Sequence, residues 1–224
     1  MTNSSICTRD QHAEKINTLL DLPFKIEPEQ VITAAFVTAR YLSKNLDTSK
    51  GILVLGMEGI KAELKAVGFS VTEAFDFNTT YGAVVVGFDK NFFYESLSDT
   101  IKVFQHFPDS ILVGCNLDAT YVGEGGQIFA GTGSLVKAVA YACGREPIIM
   151  GKPNNFIYSA LLDSCPEFKA HEAIFIGDRL DSDIAFANMN GMFSIFVETG
   201  VQKRSDITED IVPSKCISSL LELV

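Results

Sequence analysis

A series of short, almost wholly apolar runs constrains this chain more than any other feature: "GILVLG" from Gly51, "GAVVVGF" from Gly82, "ILVGCN" from Ile111, "PIIMG" from Pro147, "AIFIGD" from Ala173 and "FSIFVET" from Phe193. Each is too short for a buried helix and lacks the polar alternation of a half-exposed strand, so each predicts a parallel strand covered on both faces. Amphipathic stretches separate them, and strands alternating with helices make an α/β fold. "TRDQ" (Thr8 to Gln11) has the form of a capping box, and Ala13, Ile16 and Leu20 follow at helical spacing. A second helix is expected from Pro28, carrying Ile32, Ala35, Ala39, Leu42 and Leu46. Further helices are expected near Glu58–Ala66 and Glu95–Phe104, and "FAGTGS" (Phe129 to Ser134) reads as a hinge between two βα blocks in series.

At 224 residues, 47% of them apolar, the chain has material for one large or two modest domains. No apolar run reaches the ~20 residues of a membrane span, and no secretory leader is expected at the start. A net charge of −10 argues against nucleic acid as a partner but not against a small phosphorylated molecule, which responds to local charge. Cys7, Cys115, Cys143, Cys165 and Cys216 are odd in number and scattered, as expected of reduced thiols in a cytoplasmic protein.

The chemistry-bearing residues cluster at strand ends. In "GDRLDSD", Asp178 closes a strand and Asp183 lies about one helical turn further on, so both carboxylates can face the crevice where open α/β sheets place ligands. Hard oxygen ligands at such a place suit Mg²⁺ and a substrate phosphate; helix capping by Asp181 or Asp183 is the competing explanation. In "IIMGKPN", Lys152 follows a strand and precedes a helix, placed to neutralise phosphoryl charge, though a lone lysine there is more often a solvated loop cation. Thr2, Asn3 and Ser4 in "MTNSS" offer side-chain donors ahead of a capped helix, against which stands a frayed terminus. Asp118 in "NLDATYVGEGG" also ends a strand, but in the other βα block, which argues against it as an attacking group. "GTGSLV" lacks the third glycine of a dinucleotide loop, and His12, His106 and His171 show no ligand spacing.

Together "GDRLDSDI", "GKPN", "VVVGFD", "ILVGCNLD" and "AGTGSLVKAV" resemble, in order and over essentially the whole chain, the haloacid dehalogenase superfamily of phosphatases, in its eukaryotic phosphoglycolate phosphatase and 4-nitrophenylphosphatase-like branch. The resemblance implies a Rossmann-like core formed by residues 1–48 and 131–224, lacking its first strands, with an inserted α/β cap at 49–130. It implies Asp178 as the Mg²⁺ ligand, Asp183 as a supporting catalytic acid and Lys152 as the lysine that steadies the phosphoryl group. Thr2, Asn3 and Ser4 become the phosphoryl-binding loop, with Ser4 standing where the family has a second Asn.

In that family the attacking group is the first Asp of an Asp-x-Asp-Gly motif upstream of this loop, and no such motif occurs in these residues. The expectation is therefore a phosphatase by descent, truncated at its start, with negligible turnover and a weakened core. A small phosphorylated metabolite is the expected partner, with no nucleic acid or membrane, and a homodimer formed through the cap. The cap loop carries no histidine, which leans toward phosphoglycolate rather than pyridoxal phosphate as substrate. A non-catalytic binding or dimerisation protein built on the cap is the alternative.

Overall fold

The apolar runs become parallel strands, and their neighbours decide which of them are covered. The computed structural model describes residues 1–20 and 23–223. In chain order its helices are α1 (Arg9–Leu19), α2 (Ala34–Asn45), α3 (Glu58–Ala66), α4 (Tyr94–His106), α5 (Thr132–Cys143), α6 (Asn155–Ser164) and α7 (Ala185–Met189). Its strands are β1 (Gly51–Leu55), β2 (Val71–Thr72), β3 (Tyr81–Val86), β4 (Ile111–Gly114), β5 (Thr120–Val122), β6 (Ile128–Ala130), β7 (Ile148–Ile149), β8 (Ile174–Gly177), β9 (Phe193–Val197) and β10 (Lys215–Ile217). No helix among the described residues is long and apolar enough to cross a membrane.

The Thr8 box forms as expected: its hydroxyl accepts from the Gln11 N–H, and the Gln11 side chain accepts from the Thr8 N–H. The second helix starts later than expected. Pro28–Gln30 makes only a 3₁₀ turn, and α2 begins after Thr33, whose side chain accepts from the Phe36 N–H at 3.0 Å. The reason lies far away in sequence. Thr2 pairs with Thr33 in a parallel bridge, with Thr2 N–H on the Ile32 carbonyl and Ala34 N–H on the Thr2 carbonyl, which holds the intervening residues extended.

A five-stranded parallel sheet has the order β2-β1-β3-β4-β7, and a separate parallel sheet has the order β10-β9-β8. β5 and β6 form an antiparallel hairpin. Alternate residues of the large sheet face opposite layers, as strand geometry requires. Ile52, Val54, Ala83, Val85 and Val113 pack with Leu42, Ile60, Leu64 and Ile157 from α2, α3 and α6. Leu53, Leu55, Val84, Val86 and Leu112 pack with Val103, Phe104, Val136 and Val139 from α4 and α5. Every residue of β1 and β3 is buried. β7 joins this sheet through Val113↔Ile148 and Gly114↔Ile149, so the sheet draws on both the 49–130 and 131–224 stretches.

β8 departs from expectation. Ile174 and Ile176 are 64% and 44% exposed. The strand is the edge of its sheet, with β9 its sole partner among the described residues, and only one face meets a helix, where the Phe175 ring lies 5.3 Å from Phe186 of α7. The expected hinge at Phe129–Ser134 is a packed strand-to-helix junction, with Gly131 and Gly133 N–H donating to the Ala119 and Asp118 carbonyls.

Candidate active site

The carboxyl ends of β4, β7 and β8 and the segment Thr2–Ile6 surround one cavity of about 260 Å³. That lies just below the usual range of ligand cavities (~300–1,000 Å³) and suits a small molecule. Thr2, Asn3, Ser4, Lys152, Asp178 and Asp183, scattered across the sequence, all line it.

At its centre is a buried ion pair. Lys152 Nζ donates to Asp183 Oδ1 at 2.5 Å, with the two side chains 7% and 9% exposed. A π-helical turn at Leu180–Ile184, running into α7, carries Asp183, and such turns recur at functional sites. Asp183 Oδ2 accepts from the Asp178 and Arg179 N–H groups at 3.1 and 3.2 Å. Only glycine fits at 177, because a Cβ there would lie 2.2 Å from the Asp183 Cβ. Lys152 is fixed from its backbone. Its N–H donates to Asn3 Oδ1 at 2.8 Å, its carbonyl accepts from Asn3 Nδ2 at 3.2 Å, and its peptide bond to Pro153 is cis. Asn3 thereby serves as a strut, and the Asn116 amide in turn donates to the Asn3 carbonyl.

Asp178 has no salt-bridge partner among the described residues. Asp178 is exposed toward the cavity, and partial desolvation there first, and then the charge of Asp183, push its carboxyl above the usual carboxylate range. A cation beside it would relieve both effects. No group of three or more His, Cys, Asp or Glu residues capable of holding a metal occurs among the described residues, so there is no all-protein cage. The arrangement fits Mg²⁺, which binds one or two carboxylates and completes its shell with water and substrate oxygens. The hydroxyls of Thr2 and Ser4 are partly engaged locally: Thr2 Oγ1 accepts from the Ser4 N–H, and Ser4 Oγ lies 3.1 Å from His12 Nε2.

Sequence reasoning set Asp118 aside because of its block, and the fold removes that objection. The strand preceding it is a neighbour of β7, so Asp118 opens onto the same cavity. Asn3 Nδ2 donates to its two oxygens at 3.3 and 3.2 Å, and Arg179 Nε lies 3.5 Å away. Arg179 is bidentate on Asp181 at 3.1 and 2.8 Å and donates to the Thr120 carbonyl at 2.9 Å, which ties the β8 arm to the β4–β5 loop. Sequence reasoning also missed Ser5, almost wholly buried, whose hydroxyl accepts from the Phe88 N–H at 2.8 Å, and Tyr121, whose ring meets Phe88 edge-on at 5.2 Å. The strand-end position of Asp118 was the one available signal; nothing local marked the others.

Two family models match the chain, haloacid dehalogenase-like hydrolase over residues 1–70 and HAD-hydrolase-like over residues 149–223. The chain is similar to glycerol-3-phosphate phosphatase of Gallus gallus, 33% identical over an alignment covering 100% of this chain and 79% of that protein. It is similar to chloroplastic phosphoglycolate phosphatase 1A of Arabidopsis thaliana, 32% identical over 90% of this chain and 59% of that one. Among solved structures, the glycerol phosphate phosphatase of Mycobacterium tuberculosis in complex with magnesium aligns with a TM-score of 0.82 and 28% identity, covering 99% of this chain and 65% of the other. The coverage, the paired family models and the strand-end acids agree: the chain belongs to the haloacid dehalogenase superfamily of phosphatases, close to its phosphoglycolate, glycerol phosphate and 4-nitrophenyl phosphate branch.

Proposed function

We propose that the cavity is a Mg²⁺-dependent site for phosphate monoesters of small metabolites, of the phosphoglycolate and 4-nitrophenyl phosphate type. The observation that carries this reading is the buried Lys152–Asp183 pair opening onto the same cavity as the uncompensated Asp178 carboxylate. Lys152 neutralises phosphoryl charge, where a fixed cation in a water-poor site acts most strongly. Asp183 holds the ammonium in place, and Asn3 fixes the backbone that carries it. Thr2 and Ser4 present hydroxyls to phosphoryl oxygens. Asp178 holds the metal, which when bound supplies Lewis-acid polarisation of the phosphoryl group.

Binding is not turnover. Phosphate monoester hydrolysis is among the slowest uncatalysed reactions, and the family's remedy is a carboxylate that attacks phosphorus. Asp183 is occupied by Lys152 and two N–H groups, Asp118 by Asn3 and Arg179, and Asp178 is assigned to the metal. On this reading the 224 residues alone turn over negligibly. Purified chain with Mg²⁺ and 4-nitrophenyl phosphate should release nitrophenol no faster than its Lys152→Ala variant; rates like those of active family members contradict the reading.

One observation favours a second role. Val122, Ile128 and Phe129 of the β5–β6 hairpin are exposed. That apolar edge suits a dimerisation surface built on residues 49–130, and sedimentation of wild type against Ile128→Lys distinguishes a dimer from a monomer.

A further inference from the structure

A second crevice, sharing no lining residue with the active-site cavity, opens where the order of the large sheet turns back on itself. The chain leaves β1 through α3 to β2 on one side and then returns to β3 on the other, so the carboxyl ends of β1 and β3 flank the point of reversal. α3 and α4, which follow these two strands, pack on opposite faces of the sheet and leave a gap between their starts. Open α/β sheets bind ligands at such gaps. Here the gap is a cavity of about 330 Å³, within the usual range for a small ligand, lined by Leu55 and Gly56 at the end of β1, Glu73 just past β2, and Asp89, Phe93 and Ser96.

Its polar groups are uncommitted. Ser96 is 8% exposed, and its hydroxyl has no hydrogen-bond partner among the described residues. No fully buried side-chain polar atom among those residues lacks a partner, so this hydroxyl meets solvent through the crevice that Ser96 lines. No side chain caps α4 at Phe93, and the N–H groups of Tyr94, Glu95 and Ser96 have no acceptor among the described residues. The start of α3 differs, its Gly59 and Ile60 N–H groups being taken by the Ile6 and Ser5 carbonyls. Asp89 accepts the Asn91 N–H on Oδ1 at 2.8 Å, which leaves Oδ2 without a partner among the described residues. The signs narrow the ligand. Glu58, Glu73 and Asp89 stand against one ammonium, Lys61, itself held by Glu73 at 2.6 Å, so the crevice repels an anion although α4 offers N–H groups. These acids do not form a metal cage either. A hydroxyl satisfies carboxylate and N–H groups alike, because it both donates and accepts, and the exposed Phe93 ring supplies an apolar surface beside them. We infer that this crevice binds a neutral cis-diol, that of a ribose within a nucleoside or as the free sugar, with Asp89 accepting from the diol and Ser96 and the start of α4 donating to it. The inference stands independently of the phosphatase reading.

Amide chemical-shift mapping of the full chain with adenosine, 2′-deoxyadenosine, ribose and inorganic phosphate tests this. Adenosine should give saturable shifts at the Gly56 and Tyr94–Ser96 amides, and 2′-deoxyadenosine, which lacks the diol, should bind at least about tenfold more weakly, since a site built to bond a hydroxyl rejects the analogue without it. Asp89→Ala should weaken adenosine by at least about tenfold as well. Ribose binding as tightly as adenosine supports the inference with the free sugar as ligand, and tighter adenosine supports it with the nucleoside. The inference is overturned by no saturable shift with adenosine or ribose, by equal binding of 2′-deoxyadenosine, by unchanged affinity in Asp89→Ala, by shifts confined to the Thr2–Ile6 and Asp178–Asp183 amides, or by inorganic phosphate binding at Tyr94–Ser96. The comparison of adenosine with its deoxy analogue on the wild type decides alone should the variant not fold.

Discussion

The two parallel sheets are written in the same apolar vocabulary and end in different surroundings. β3 lies between β1 and β4 with helices on both faces, and all its residues are buried. β8 is as apolar in sequence, yet it borders one strand and one helix and leaves Ile174 and Ile176 open to solvent. Composition says that a strand needs cover; it does not say which segment supplies it. The candidate site lies where the two sheets meet, so one wall stands on a well-covered sheet and the other on a thinly covered one.

The largest effect should come from cutting the joint between them. Lys152→Met leaves Asp183 buried without its cation and should cost about 3–5 kcal/mol by urea denaturation, whereas Lys152→Met with Asp183→Leu should recover most of the loss. A loss below about 1 kcal/mol for the single variant would mean that the pair is solvated and the two walls are not coupled through it.

The sheets themselves can then be compared at matched residues. Ile52→Ala in β1, fully buried, should cost about 2–5 kcal/mol, while Ile174→Ala in β8 should fall within about 0.5 kcal/mol. Similar losses at the two positions would show that β8 is covered in solution after all.

A smaller effect concerns Asp118, which faces Arg179, Asn3, Asp181 and Lys152. Its folded-state carboxyl is raised, mainly by burial, so between the ordinary value near ~3.9 and the raised one the folded protein binds more protons than the unfolded chain. Stability therefore falls as pH rises through that window, and the wild type carries the full penalty at neutral pH. Asp118→Asn should raise the melting temperature at pH 7, and the gain should vanish below about pH 4. A gain that persists at low pH would place its origin in packing instead.

Much of this was legible in the sequence, and the failures have physical causes. The strand runs announced themselves because a strand covered on both faces needs no polar alternation, and the Thr8 cap was legible because both of its partners are local. The start of α2 was not, because it depends on Thr2, more than thirty residues upstream, holding Thr33 extended. Lys152, Asp178 and Asp183 stood out as candidates at or just beyond strand ends, since parallel strands bring their carboxyl ends to one side, but a loop cation and a helix cap competed with that reading until the resemblance was added. The place of Asp118 at the cavity was not legible because block order along the chain was taken for distance, whereas β4 and β7 are adjacent in the sheet. Arg179 gave no local signal, and Asn3, a candidate through its place beside Thr2 and Ser4, gave none for its part as a strut, since both span groups that are remote in sequence.

Whether Lys152 and Asp178 jointly present a metal-assisted phosphoryl site is decided by a thermal-shift matrix with phosphate, Mg²⁺, both and neither. Ligands that bind the folded state together raise its melting point together. The shift with both should exceed the sum of the separate shifts and be lost in Lys152→Met and in Asp178→Asn; an additive or absent shift, or one that survives both substitutions, contradicts a joint site.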